Sequence, residues 1–293
     1  MGHMRFGLLG TGHWAAETQG VALHSHPHAE LVGVWGRDPD KARPLADRFG
    51  ARAYADLDDL LGDVDAVAVA VPPDVQADLA VRAARAGRHL LLDKPLALDL
   101  AAADAVVAAV AEHAVASVLF FTNRFYSNVD EFLRVSAERD WYAARITIFA
   151  SIFQPTSPYK DSRWRRGEHG GLWDVGPHAL SIVLPLLGPV ERVTALRGRH
   201  DATHVLLAHA SGAVSSIAVS LAVPPASAVS ESLLYGAEGT TLIPRGNGTS
   251  VEAFGTAIDQ LMANVAAGRT DHPCDVRFGR EVVDILRRAD EVA

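Results

Sequence analysis

The segment that most restricts how this chain can fold lies near its start. An apolar run, Phe6-Gly7-Leu8-Leu9, ends in Gly10-Thr11-Gly12-His13-Trp14-Ala15 and passes into a helical pattern. A strand, a turn with two glycines and a helix in succession commit the backbone to one tight geometry. The first glycine permits the turn, the second lets another group approach the backbone closely, and a small third residue lets the helix lie against the strand. Further strands must flank such a turn, and the sequence supplies them. Apolar runs at Arg5–Leu9, Leu31–Trp35, Ala66–Val71, His89–Leu92 and Ala116–Phe121 alternate with helical patterns at Trp14–His24, Pro39–Phe49, Val75–Ala86 and Leu100–His113. Runs apolar on consecutive positions are buried on both faces, which predicts a parallel, doubly wound α/β sheet.

The character changes after about Asn123. Helical patterns at Ser127–Glu138 and Val175–Leu187 bracket a strand-like stretch, Trp141–Phe153, and a loop rich in Arg and Gly. Runs at Val190–Leu196, Thr203–Ala208, Val214–Leu221 and Ser232–Tyr235 predict a largely antiparallel, open-faced sheet. Helices at Phe254–Ala267 and Val276–Val292 close the chain. The expected division is 1–122 and 123–293, the second part an α+β domain whose last helix packs back on the first. A length of 293 residues supports two buried cores.

Composition narrows the function classes. A net charge of −8 argues against a nucleic-acid partner, which favours a basic surface. Cys274 is the single cysteine, so no internal disulfide forms and a reducing, cytoplasmic compartment is expected. The first apolar run is too short for a signal peptide, and Ala210–Ser230, with Gly212, Pro224 and Pro225, reads as strand and loop rather than a membrane span. Met1-Gly2-His3 ahead of Met4 reads as an added leader outside the fold.

A glycine turn opening a helix is an anion site, because orphan N–H groups and the helix dipole favour a phosphate there. Gly10, Thr11, Gly12, His13, Trp14 and Ala15 are therefore expected to bind the pyrophosphate of a nicotinamide dinucleotide, with Trp14 either beside the cofactor or between helix and sheet. At the end of the second strand, NAD binders usually carry a carboxylate for the ribose; here Trp35-Gly36-Arg37-Asp38 stands instead. Gly36 and Arg37 suit a 2′-phosphate and favour NADP(H). Asp38 reaching the ribose keeps NAD(H) as the alternative.

Four segments combine into a larger pattern: the glycine turn, Ala70-Val71-Pro72-Pro73, Leu92-Asp93-Lys94-Pro95, and Gly170-Gly171-Leu172-Trp173-Asp174-Val175-Gly176-Pro177-His178. With Asn123-Arg124-Phe125 they resemble the Gfo/Idh/MocA family of glucose–fructose oxidoreductase-like and inositol-dehydrogenase-like enzymes. The resemblance implies an N-terminal Rossmann domain, an open-faced second domain, and NAD(P)-dependent oxidation or reduction of a sugar, polyol or related compound. It assigns Lys94 to polarising the reacting oxygen, His178 to exchanging its proton, and Asp174 to orienting them; Asp174 also reads as a helix N-cap. Val71, Pro72, Asp93 and Lys94 would line the cofactor. Lys94, Arg124, Arg165, Asp174 and His178 would meet the substrate.

Three positions depart from the family pattern: Asp93 stands where Glu is frequent, Gln76 near a frequent histidine, and Ser181 where an acid is common. The last two leave a rival reading, a non-catalytic NAD(P)-binding sensor. The groups His24, His26, His28 and His200, His204, His209 lack zinc spacing, so no metal is expected. An open sheet face suggests a homodimer or higher homo-oligomer.

Overall fold

The computed structural model describes residues 3–293; Met1 and Gly2 of the expected leader lie outside them. Contacts divide the chain into two compact units. One runs up to Phe125 and resumes over Gly248–Glu281; the other takes Tyr126–Asn247 and Val282–Ala293.

The first unit is a six-stranded sheet in the order β3-β2-β1-β4-β5-β6, built from β1 (Met4–Leu9), β2 (Ala29–Trp35), β3 (Arg52–Tyr54), β4 (Ala66–Val69), β5 (His89–Asp93) and β6 (Ser117–Phe120). Every neighbouring pair is parallel, as the consecutive apolar positions predict. Leu8, Leu9, Val67 and Leu91 are wholly buried in it. A π-helical turn, Ala15–Gln19, runs into α1 (Gly20–Ser25), and α2 (Pro39–Arg48), α3 (Leu57–Asp63), α4 (Pro73–Arg85) and α5 (Leu100–Glu112) complete the crossovers. Strand order reverses between β1 and β4, and that switch point is where an open α/β sheet leaves a crevice at its carboxyl edge. β3 and α3 are additions to the expected set. A three-residue strand is too short to show a period, and α3 declares itself only through its cap, where Asp56 accepts from the Asp58 N–H at 2.7 Å.

The second unit contains α6 (Ser127–Ser136), β7 (Trp141–Phe149), α7 (Arg163–Arg166), α8 (Gly170–Leu187), β8 (Val190–Arg197), β9 (Thr203–His209), β10 (Val214–Ser220), β11 (Val229–Gly236) and β12 (Gly239–Leu242). Its sheet runs β12-β11-β7-β10-β9-β8 and is antiparallel except for the β7–β10 pair. Alternation along β9 explains the two faces: Val205 and Leu207 are buried while His204 and Leu206 are exposed. α8 packs against β10, β7 and β9.

α8 begins five residues before the expected start, which changes the reading of Asp174. His169 precedes the helix in a left-handed conformation at φ 74°, and the Gly171 N–H donates to Asp201 Oδ2 at 2.6 Å. A Cβ on Gly170 would lie 2.0 Å from the Arg165 carbonyl oxygen, so the two glycines serve close approach rather than breaking the helix. Asp174 therefore sits inside the helix and is not its N-cap. Pro177 and Pro185 lie within the helix as well, and burial of Leu172, Trp173, Leu180, Val183 and Leu187 offsets the bonds they remove.

After the second sheet the chain returns to the first unit through α9 (Ser250–Ala266), begun by a reciprocal capping box between Thr249 and Glu252. Phe254 meets Phe120 edge to face, with ring centroids 4.9 Å apart. α10 (Val276–Val292) closes the chain. Among the described residues no helix is long and apolar enough to cross a membrane.

Between these helices His272 stacks on Phe125, accepts the Cys274 N–H on Nδ1 and meets Gln260 at 2.8 Å. Burial, aided by the Arg124 charge, pushes its imidazole down to about 4. Unfolded, the same group takes its proton near 6.5. The stabilisation is therefore complete above that value and is lost as pH falls toward 4. Denaturant unfolding between pH 7 and 4 should show wild type losing on the order of 3 kcal/mol that a His272→Gln variant does not lose.

Candidate functional site

The glycine turn is held from both sides by the neighbouring strands. The Gly10 N–H donates to the Trp35 carbonyl at 2.8 Å, and the Ala70 N–H donates to the Leu9 carbonyl at 2.8 Å. Gly10 has φ 129°, and a Cβ there would stand 2.3 Å from the Ala70 oxygen, so only glycine fits. At Gly12 the reason is different: no heavy atom lies within 4 Å of where a Cβ would point, so the backbone there is open to a ligand.

A cleft of about 450 Å³ lies over this turn. Gly10, Thr11 and Gly12 form one wall; Trp35, Gly36, Arg37, Asp38 and Lys41 form a second; Ala70, Val71, Pro72 and Val75 form a third. A Cβ on Gly36 would meet Thr11 Cγ2 at 2.7 Å, so this glycine keeps the first two walls close. An open backbone at a helix start, framed by three strand ends, fits a dinucleotide's pyrophosphate. Trp14 does not line the cleft. Its ring lies 6.4 Å from that of Phe120 at the end of β6, while Ala15 is buried and accepts from the Gly20 N–H to close the π turn. His13 is exposed beside Glu17, whose carboxyl is held low first by its bond to Arg48 and slightly by His13.

Lys41 also lines the cleft, an addition to the residues expected from the sequence, and stands three residues after the cap of α2. That cap is Asp38, whose Oδ1 accepts the Asp40 N–H at 3.1 Å while Oδ2 lies 3.7 Å from the Lys41 ammonium.

Lys94 follows β5, next to β4, whose end carries Ala70, Val71 and Pro72. The Lys94–Pro95 bond is cis. Asp93 turns its carboxylate onto this loop and accepts the Lys94 N–H at 2.8 Å. Gln76 is buried beneath it, so the side chain that departs from the family's histidine braces backbone rather than facing solvent. Arg124 lies on a 3₁₀ turn, Thr122–Phe125, after β6, close enough to lower His272.

In the second unit, Asp174 and His178 lie one turn apart on α8 and share a face. Arg165 reaches Asp174 from α7, Nε donating to Oδ2 at 2.9 Å and a terminal nitrogen to Oδ1 at 3.4 Å. The side chains are only 19% and 9% exposed. The guanidinium also lies over the rings of Tyr159 at 4.5 Å and Trp164 at 4.3 Å. Arg165, expected to meet the substrate, thus has its fork on Asp174. Ser181 is buried, and its hydroxyl donates to the His178 carbonyl at 2.8 Å.

The histidine groups are otherwise engaged. His26 meets Asp259 at 3.1 Å, His209 bridges the Gly188 carbonyl and the Ser215 hydroxyl, and His204 lies edge-on to Phe149. Among the described residues no group of three or more His, Cys, Asp or Glu side chains is placed to hold a metal ion.

Comparison with known proteins agrees with this layout. Residues 4–121 match the oxidoreductase family with an NAD-binding Rossmann fold, and residues 140–242 match the GFO/IDH/MocA C-terminal domain. A dTDP-3,4-didehydro-2,6-dideoxy-α-D-glucose 3-reductase of Streptomyces antibioticus is 30% identical over 73% of this chain and 68% of its own length. The chain belongs to the GFO/IDH/MocA oxidoreductase family. A 3-reductase of the same name from Streptomyces violaceoruber is 33% identical over 68% of this chain, a match spanning 58% of that relative's length. In fold, the chain is similar to GenD2 from gentamicin A biosynthesis, solved in complex with NAD: TM-score 0.86, 23% identity, 100% of this chain and 95% of that one.

Proposed function

We propose that this family member is an NAD(P)-dependent oxidoreductase moving hydride between the nicotinamide and a secondary alcohol or ketone of a sugar or polyol. The observation that carries this reading is the place of Lys94 within the first unit: it follows β5, the strand beside β4, whose end walls the dinucleotide cleft. When bound, the dinucleotide supplies or accepts the hydride. Lys94 would hold a proton at Nζ against the reacting oxygen and stabilise its developing negative charge. His178 on α8 is the group proposed to exchange that proton, with Asp174 one turn before it orienting the substrate or the imidazole. The two Streptomyces relatives bear the name of a reductase of a dTDP-linked keto sugar. The substrate proposed is accordingly a sugar carrying a ring ketone or its alcohol.

Three features favour NADP(H). Gly36 leaves no carboxylate at the ribose position, and Arg37 and Lys41 put two cations on the same wall. Asp38, the only acid on that wall, is already committed to capping α2 and to Lys41. The outward face of the second sheet carries Leu206 at 53%, Val214 at 47% and Leu242 at 63% exposure. We take this as the surface a second copy of the chain covers.

The catalytic assignment is tested with a panel of a dTDP-linked 3-keto deoxysugar, UDP-N-acetylglucosamine, myo-inositol and D-glucose. Lys94→Ala and His178→Ala should each lower kcat by two orders of magnitude or more on the compound that wild type turns over, with NADPH affinity nearly unchanged. Wild-type rates in both would remove the assignment. Fluorescence titration should show NADPH binding tighter than NADH, with Arg37→Ala weakening NADPH by roughly ten- to a hundredfold and NADH little. Light scattering should find wild type as a dimer or larger and Leu206→Glu shifted toward monomer; a monomeric wild type contradicts the interface.

A further inference from the structure

Gln76 is almost wholly buried, at 1% exposure, and its side-chain carboxamide bonds the loop bearing Lys94. Its Oε1 accepts the Asp93 N–H at 2.9 Å. Its Nε2 donates to the Asp93 carbonyl at 2.7 Å and the Pro95 carbonyl at 2.9 Å, with the Leu96 carbonyl at 3.4 Å. One side chain from α4 thus grips the backbone on both sides of Lys94.

The chemistry of the loop explains why a carboxamide suits this place. Asp93 offers one donor and one acceptor, while Pro95 has no N–H and offers a carbonyl alone. The partner must accept once and donate twice, and among uncharged side chains only an amide does so from one planar group. A glutamate of the same shape would face the carbonyls with acceptors only. A leucine would remove one bond to an N–H and two to carbonyls of this loop.

We propose that Gln76 is a positioning residue for Lys94, a role that rests on the proton-holding role given to Lys94 above. By fixing Asp93 and Pro95 to α4, it sets where the Lys94 Cα stands and so where its ammonium reaches. Displacement of a reacting group by about 1 Å can cost a hundredfold in rate, so the brace acts on turnover rather than on dinucleotide affinity. The Gln76 backbone N–H donates to the Pro72 carbonyl at 3.2 Å on the cleft's third wall, a bond that does not depend on the side chain.

Gln76→Leu removes the brace, Gln76→Asn keeps the carboxamide but withdraws it by one methylene, and Gln76→His restores one donor and one acceptor. With the panel compound that wild type turns over, Leu and Asn should lower kcat at least tenfold while the Kd for NADPH stays within about threefold; His should recover part of the loss. A second readout needs no substrate. Acetic anhydride labelling followed by mass spectrometry should show Lys94 acetylated at least threefold faster in Gln76→Asn than in wild type, with Lys41 and Lys160 unchanged. Unchanged kcat and unchanged Lys94 labelling in folded Leu and Asn variants would overturn the proposal, as would a loss of NADPH binding in step with kcat. Lys94→Ala separates the two levels. If it keeps wild-type turnover, the role of Lys94 fails; if it is inactive while the Gln76 variants match wild type, only the positioning role fails.

Discussion

The approach of Gly10 to the backbone of Ala70 is the contact on which the first unit's function depends. β1 and β4 are adjacent strands, and at their carboxyl ends the chains come so close that a single added carbon at residue 10 would strike a carbonyl oxygen. In the turn that follows, the backbone around Gly12 is open. The other walls of the cleft then follow from ordinary strand ends: β2 delivers Gly36 and Arg37, and β4 delivers Val71 and Pro72. Lys94, the lysine proposed to act on the substrate, needs one more strand, β5, and Gln76 on the helix between β4 and β5 bonds the loop that carries it. No special element is required beyond the doubly wound order itself.

The second unit solves a different problem, how to bury a carboxylate without losing it. Asp174 lies inside a largely apolar helix, where an unpaired charge would be costly. Arg165 meets it with a two-pronged contact, and Tyr159 and Trp164 lie against the guanidinium. Such pairs add little net stability compared with apolar packing, but losing one partner strands the other. The arrangement suits a residue whose orientation matters more than its contribution to folding.

Legibility in the sequence followed the length scale of each signal. The parallel sheet and the glycine turn were readable because five apolar runs and a glycine pair carry their own periodicity and spacing. β3 was not, since three residues show no period. The helix α8 starts five residues before the expected Val175, because the Arg- and Gly-rich stretch before it reads as loop in one dimension, whereas in space Gly170 and Gly171 make room for the Arg165 carbonyl and Asp201. Asp174 consequently looked like a cap and is instead an interior, ion-paired residue. The positions of Lys94, Asp174 and His178 were legible through the family pattern. What their neighbours do was not: the bonds of Gln76 join residues 17 to 20 positions apart, and only packing brings them together. Lys41 entered the cleft by the same route, through a helix whose cap set its direction.

We propose that the open backbone at Gly10–Gly12 holds a dinucleotide's pyrophosphate. The most direct test is a crystal structure of the protein grown with NADPH. Pyrophosphate density is expected against the open backbone near Gly12, with the adenosine 2′-phosphate between Arg37 and Lys41. A dinucleotide bound anywhere else on the first unit, with this cleft filled only by solvent, would contradict it.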